Sequence, residues 1–226
     1  MLSFKIFLAI GFVVMTALMV YAGLSVKLPI WKILVSAVAL IVAGVLGTKI
    51  MFFIENGGWS GRSFFGAVFF VPVLMFPVAL LLKIRYGTMM DVCAPGVSLI
   101  VAVMKIDCII EGCCYGFAMR YLEDGTPVRF PSQAVELVAN LAITAALLLL
   151  HKKEKNQGLI YPWYLVIYGA VRFILNLFRE TVPFVWILPA GNFWSLIAIL
   201  IGGTVLLLHK AKAEQQRAKK KKPRRT

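Results

Sequence analysis

The fold class this sequence predicts is all-α: a polytopic integral membrane protein of about seven transmembrane helices with an outward-facing polar head region. Three observations carry that reading. Hydrophobic residues make up 61% of the 226 residues and the mean hydropathy is +0.87, against an apolar share of roughly 45–50% in a soluble domain. Apolar runs long enough to cross a hydrocarbon core of about 30 Å recur along the chain. Lys and Arg gather in alternate connections between those runs, the arrangement that orients helices in a bilayer.

Taken in order, the runs lie near 4–24, 29–54, 64–84, 89–104, 132–150, 159–178 and 192–208. The first is long and lacks a small-residue exit of the cleavable kind, so it is expected to stay as an anchor. The second carries Lys49, for which snorkelling to the interface is the plain reading. The fourth is short with a polar exit. A bent or partly re-entrant element would be tolerated there only if it packs in protein or lines a cavity. The fifth and sixth carry polar stripes. Beyond the seventh, residues 210–226 hold nine Lys/Arg against Glu214 alone, more than half of the formal net charge of +14, and this composition predicts a disordered tail. Residues 1–209 then form one transmembrane domain, with 105–131 as its outward polar head. No repeat of fixed period is evident.

Orientation follows from the basic residues. Lys27 falls in the first connection, Lys83 and Arg85 in the third, and Lys152, Lys153 and Lys155 in the fifth. The positive-inside rule places these and the basic tail in the cytoplasm, and the N-terminus with the 55–63, 105–131 and 179–191 connections outside. The tail is read as a topology signal attracted to anionic headgroups, so no nucleic-acid partner is expected.

In the sixth run, Tyr161, Tyr164, Tyr168, Arg172, Asn176 and Arg179 recur three or four residues apart, which aligns them along one helix face. A cation such as Arg172 is costly in lipid and marks a site by default. The fifth run has its own stripe, Gln133, Glu136, Asn140 and Thr144, opening from Ser132. Interhelical hydrogen bonds would explain Gln133 and Asn140. A carboxylate at Glu136 and a guanidinium at Arg172 point to pairing or a shared ligand. Lys49, Arg62 and Lys105, with Arg172 and Arg179, could build an electropositive cavity fit for a phosphate headgroup. The substrate class is then an anionic phospholipid.

Cys93, Cys108, Cys113 and Cys114 are the only cysteines. Adjacent Cys113 and Cys114 lack the two-residue separation of a zinc knuckle, and His151 and His209 lie at the ends expected in the cytoplasm, so neither a metal nor a cofactor is expected. If the segment faces outward, Cys108 could form a disulfide with Cys113 or Cys114. A reactive thiol helped by Lys105, or plain packing residues, are the other readings. Gly112 and Gly116 bracket the cluster and allow tight turns or close approach of an anion to main-chain N–H groups.

The order of these motifs resembles the prolipoprotein diacylglyceryl transferase family from about Gly47 to Leu196. Gly47-Thr-Lys-Ile is similar to its Gly-x-Arg-Leu, Ser63-Phe-Phe-Gly-Ala to its Ser-Phe-His-Gly-Gly, and Asp91-Val-Cys-Ala-Pro95 to its Asp-x-x-Ala-Pro. Lys105 to Gly116 falls on the family's central block, in a branch that reads Gly-Cys-Cys-Tyr-Gly. Pro131-Ser-Gln-x-x-Glu136 and Tyr168-Gly-x-x-Arg-Phe173 are the most specific matches, and Gly191-Asn-Phe-Trp-Ser-Leu196 resembles the opening of the last family span.

The resemblance implies a bacterial inner-membrane enzyme that moves the diacylglyceryl group of phosphatidylglycerol to a lipobox cysteine of a lipoprotein precursor, releasing glycerol phosphate without a metal. Arg172 and Arg179 fall on family arginines. Catalytic work is expected of Arg172, Glu136, Lys105 and Arg179. Substrate contacts are expected from Tyr168, Asn176, Gln133, Ser132, Asn140, Lys49, Gly112 and Gly116, in a monomer. The chain departs from the family at several positions. Phe65 stands at a histidine, Lys49 and Lys105 at arginines, Cys113 and Asn176 at glutamates, and Phe4 at a tyrosine. Lysine keeps the charge of arginine but not its bidentate fork. Two alternatives stay open: a catalytically silent lipid- or partner-binding scaffold of the same fold, and a membrane thiol or redox protein using Cys113 and Cys114.

Overall fold

The structure is a computed structural model, described here over residues 2–152, 157–179, 183–185 and 188–221. Its helices are α1 (Leu2–Ser25), α2 (Ile30–Asn56), α3 (Phe64–Leu81), α4 (Tyr86–Ile110), α5 (Ser132–His151), α6 (Ile160–Asn176) and α7 (Ala190–Lys221). Six of them are long and apolar enough to span a bilayer, and α6 has 17 residues. Two antiparallel strand pairs complete the described residues, β1 (Ala118–Tyr121) with β2 (Pro127–Arg129), and β3 (Pro183–Val185) with β4 (Leu188–Pro189). The all-α membrane fold expected from hydropathy is the one observed.

Two boundaries differ from expectation. The fourth span is neither re-entrant nor short: α4 runs for 25 residues through a buried Pro95. Neighbouring helices enclose that proline, the setting in which a spanning helix tolerates one. The polar residues of Lys105–Ile110 therefore belong to the helix, and the head begins at Glu111. At the other end, α7 continues to Lys221 where a disordered tail was expected. Ala, Gln, Glu, Lys and Arg are strong helix formers, and extending a nucleated helix costs little. Residues 222–226, like Lys153 and Lys155, lie outside the described residues.

α1 packs on α4, α2 on α3, α4 on α5, and α6 on α7, with α4 the most buried candidate span. Small residues set the closest approaches, as expected where lipid offers no hydrophobic drive between helices. A Cβ at Gly66 would lie 1.9 Å from the Gly47 carbonyl oxygen, so these glycines let α2 and α3 touch backbone to backbone. Across α6 and α7, a Cβ at Gly202 would lie 2.6 Å from the Pro162 carbonyl oxygen.

The two ends of the bundle differ in chemistry. At one, Lys27, Thr88, Asp91, His151 and Gln157 line a cavity of about 290 Å³, which brings together the first connection, the start of α4 and the fifth connection. The Asp91 carboxylate accepts hydrogen bonds from the N–H groups of Gly158 and Ile160, pinning the start of α6 to α4. At the opposite end lie Arg62, stacked over the Phe4 ring at 3.9 Å, and the β1–β2 hairpin. Phe117, Phe130 and Phe178 stack beneath that hairpin with ring centroids 5.0–6.4 Å apart.

Candidate active site

The site forms where the polar stripes of α5 and α6 meet the last turn of α4. Helical spacing puts Glu136 one turn inside α5, and its side chain is 4% exposed. Three cations converge on it. Lys105 Nζ lies 2.5 Å from Oε2, while Arg172 Nη1 donates to Oε1 and Arg179 Nη1 reaches the same oxygen at 3.3 Å. Each cation comes from a different place: the end of α4, the C-terminal part of α6 and the residues just past α6. A carboxylate at this depth would be expensive unpaired, and it is the common anchor that holds three repelling cations together.

These groups open onto an apolar cavity of about 310 Å³, at the lower end of the roughly 300–1,000 Å³ of ligand pockets. Leu8, Leu40, Val71, Val97 and Ile100 contribute to its greasy wall, and Arg62, Lys105, Asp107, Glu136, Tyr168 and Arg172 to its polar one. Counting Arg179, four cations face two carboxylates here, an excess of two positive charges. Arg172 spends one Nη on Glu136, and its buried Nε has no partner among the described residues. An anion entering the cavity would meet unused donors in a poorly solvated place, where charge-assisted hydrogen bonds are strong.

The chain belongs to the prolipoprotein diacylglyceryl transferase family. The sequence model of that family matches residues 2–208, nearly the whole bundle. A phosphatidylglycerol–prolipoprotein diacylglyceryl transferase of Dehalococcoides mccartyi is 23% identical over 81% of this chain and 79% of its own length. The corresponding transferase 2 of Clostridium perfringens is 24% identical over 96% and 94%. That of Bordetella parapertussis is 30% identical over 68% and 63%. Membership makes the chain an integral membrane protein of a transferase family whose bacterial relatives carry both phosphatidylglycerol and prolipoprotein in their names.

Several residues that resemble family motifs have structural work. Gly47 and Gly66 form the α2–α3 contact, and Asp91 holds the start of α6. Phe65, at the family's histidine, is buried and packs against Phe69 and Tyr168 at ring-centroid distances of 6.1 and 6.0 Å. It carries no proton to transfer. Phe4, at the family's tyrosine, lies under Arg62 at the cavity.

The structure gathers Lys105, Glu136, Tyr168, Arg172 and Arg179, and sets the other expected substrate contacts apart. Lys49 donates to the Trp59 carbonyl at 2.7 Å and does not line the cavity. Asn140 gives its Nδ2 to the Glu136 carbonyl, and its own carbonyl accepts from Ser98 and Thr144. That makes it a seam between α4 and α5. Gln133 and Ser132 are buried without lining the cavity, and Asn176 sits against Gly191, where a Cβ would lie 2.3 Å from its Nδ2. Gly112 takes a φ of 64° to end α4, and the Gly116 N–H donates to the Phe130 carbonyl, so it is not offered to a ligand. Tyr161 and Tyr164 are core residues, the former donating to the Val68 carbonyl. Asp107, a buried carboxylate on the cavity wall, was not singled out from sequence. Its signal was an ionisable residue two positions from Lys105 inside what proves to be helix.

The cysteines divide. Cys93 is buried in α4, whereas the sulfurs of Cys108, Cys113 and Cys114 lie within 4.8 Å of one another. No disulfide joins them. A hydrogen bond from the Cys108 thiol, with help from Lys105 and Arg179 against the effect of burial, pulls the Cys114 thiol down to about 5. Partial desolvation of the otherwise exposed Cys113, together with its hydrogen bond to Cys114, pushes that thiol the other way.

Proposed function

We propose that this chain is a phospholipid-dependent diacylglyceryl transferase that takes phosphatidylglycerol as donor and the lipobox thiol of a lipoprotein precursor as acceptor. The observation that carries the reading is the convergence of Lys105, Arg172 and Arg179 on buried Glu136 at the wall of an apolar cavity. The apolar wall receives glyceryl carbons and the start of the acyl chains, which run out between helices into lipid. The phosphate lies against the cations. The acceptor sulfur bonds to the glyceryl carbon as the carbon–oxygen bond to phosphate breaks, and the phosphate keeps the electron pair and leaves as glycerol phosphate.

Charge growing on the departing phosphate meets cations already fixed in place, so little reorganisation is needed as the bond breaks. Glu136 acts as the orienting carboxylate, since both of its oxygens are engaged by cations. Tyr168 and Asp107 also line the cavity and offer oxygens through which the thiol proton can leave. The cavity end lies opposite the basic connections, which supports a site facing outward with a cytoplasmic C-terminus.

The test is glycerol phosphate release from phosphatidylglycerol micelles containing a lipobox peptide. Wild type is expected to turn over, and Arg172→Ala to lose at least ~100-fold, since a charge-assisted contact to phosphate is worth about 1.5–3 kcal/mol and its loss also disorders Glu136. Arg172→Lys should recover part of the rate. Wild-type turnover in a folded Arg172→Ala protein would remove the proposal.

A further inference from the structure

We propose that Cys108, Cys113 and Cys114 form a three-thiolate binding site for a thiophilic d10 metal ion of the Zn²⁺ or Cu⁺ class, with a fourth position open. The inference does not require the transferase reading, although Lys105 and Arg179 border both sites and Cys108 also lines the cavity. Sequence spacing argues against a knuckle because two of the cysteines are adjacent. Backbone geometry supplies what the spacing lacks. α4 ends with Gly112 in the left-handed region at φ 64°; the Cys113 N–H donates to the Cys108 carbonyl at 3.0 Å and the Gly112 N–H to the Ile109 carbonyl at 3.4 Å. This pair of bonds is the Schellman ending, which folds the second residue past the cap Glu111 back onto the residue five positions earlier. An apolar contact usually occupies that place. Here it is a pair of thiols.

Cys114 follows with φ 63°, a conformation that costs a non-glycine residue roughly 1–2 kcal/mol. It lets two consecutive side chains serve one point, and all three sulfurs come within 4.8 Å of one another. Metal–sulfur bonds of about 2.3 Å in tetrahedral geometry set the sulfurs about 3.8 Å apart, so closure onto an ion asks for a contraction of about 1 Å or less. The donor set is all sulfur, which selects soft ions over Mg²⁺ or Ca²⁺. Charge fits as well. Three thiolates around a divalent ion leave one negative charge, and Lys105, one helical turn before Cys108, and Arg179 both interact electrostatically with Cys114. Cys113 is exposed while Cys108 and Cys114 are half-buried, so an ion can enter from the surface.

The experiment measures metal content of the full chain, purified under reducing, anaerobic conditions, followed by competition titration with Zn²⁺ and separately with Cu⁺. One equivalent is expected in wild type. Loss of a direct ligand should exceed the roughly 10–100-fold cost of losing an outer-shell partner. Each of Cys108→Ser, Cys113→Ser and Cys114→Ser is therefore expected to weaken binding by at least ~100-fold. Cys93→Ser, buried in the body of α4, should bind as wild type. If a variant fails to fold, the wild-type chain answers instead: Zn²⁺ should shield all three thiols from maleimide, and a chelator should expose them again. A change below about threefold in any of the three variants, maleimide labelling indifferent to Zn²⁺, or a disulfide on these cysteines in the native protein would overturn the site.

Discussion

Replacing Glu136 by Gln removes one negative charge and keeps the shape of the side chain. The Glu136 side chain is 4% exposed, whereas its partners Lys105, Arg172 and Arg179 are 14%, 16% and 21% exposed. Breaking a buried ion pair from one side costs about 3–5 kcal/mol, and the lower end applies because each orphaned cation retains some water, giving about 3 kcal/mol. At roughly 2–4 °C per kcal/mol for a chain of this size, the melting temperature in detergent should fall by about 6–12 °C. The same change raises the excess charge at the cavity by one. Phosphatidylglycerol should therefore bind Glu136→Gln more tightly and, at the same lipid concentration, return more stability to it than to wild type; whichever protein is at one hundred times its own Kd gains about 2.7 kcal/mol. Zwitterionic phosphatidylcholine should not. Thermal unfolding of both proteins with each lipid reads this directly. A variant that melts within about 1 °C of wild type, or that responds to both lipids alike, would refute Glu136 as the organiser of a phosphate-binding cation cluster.

Other outcomes follow from the packing. Gly66→Ala pushes a methyl group into the Gly47 carbonyl and should cost the upper part of the roughly 1–3 kcal/mol of overpacking, while Gly44→Ala, with open space around it, should melt within about 0.5 kcal/mol of wild type. Phe65→Ala should cost about 3–5 kcal/mol in detergent unfolding, since the ring is buried against Tyr168 and Phe69. Lys49→Met should leave glycerol phosphate release within about twofold of wild type, because Lys49 is bonded to Trp59 away from the cavity. Asp91→Ala should lower stability by about 2–4 kcal/mol through the two backbone N–H groups it strands at the start of α6, again read by thermal unfolding.

The bundle and its two polar stripes were legible because hydropathy and helical spacing are local properties, and lipid enforces them strictly. The same logic picked out Glu136 and Arg172, since an ionisable residue inside an apolar run has few innocent explanations, and helical spacing extended the stripe to Arg179 just beyond it. Helical spacing could not say which members of a stripe face a cavity and which face a neighbouring helix. Tyr161, Tyr164, Asn140 and Gln133 share their stripes with site residues yet are buried away from the cavity. Nor could it show that α4 continues through Pro95, which carries Lys105 and Asp107 into the wall of the cavity.

By itself, then, the sequence determined a helical membrane protein with misplaced charge in its fifth and sixth spans, because the cost of charge in hydrocarbon is written residue by residue. Only the tertiary structure decided that three cations from separate places meet one carboxylate, and that a helix ending folds Cys113 back onto Cys108. Both depend on distances between residues far apart, or on a left-handed turn, and neither quantity has a period along the chain.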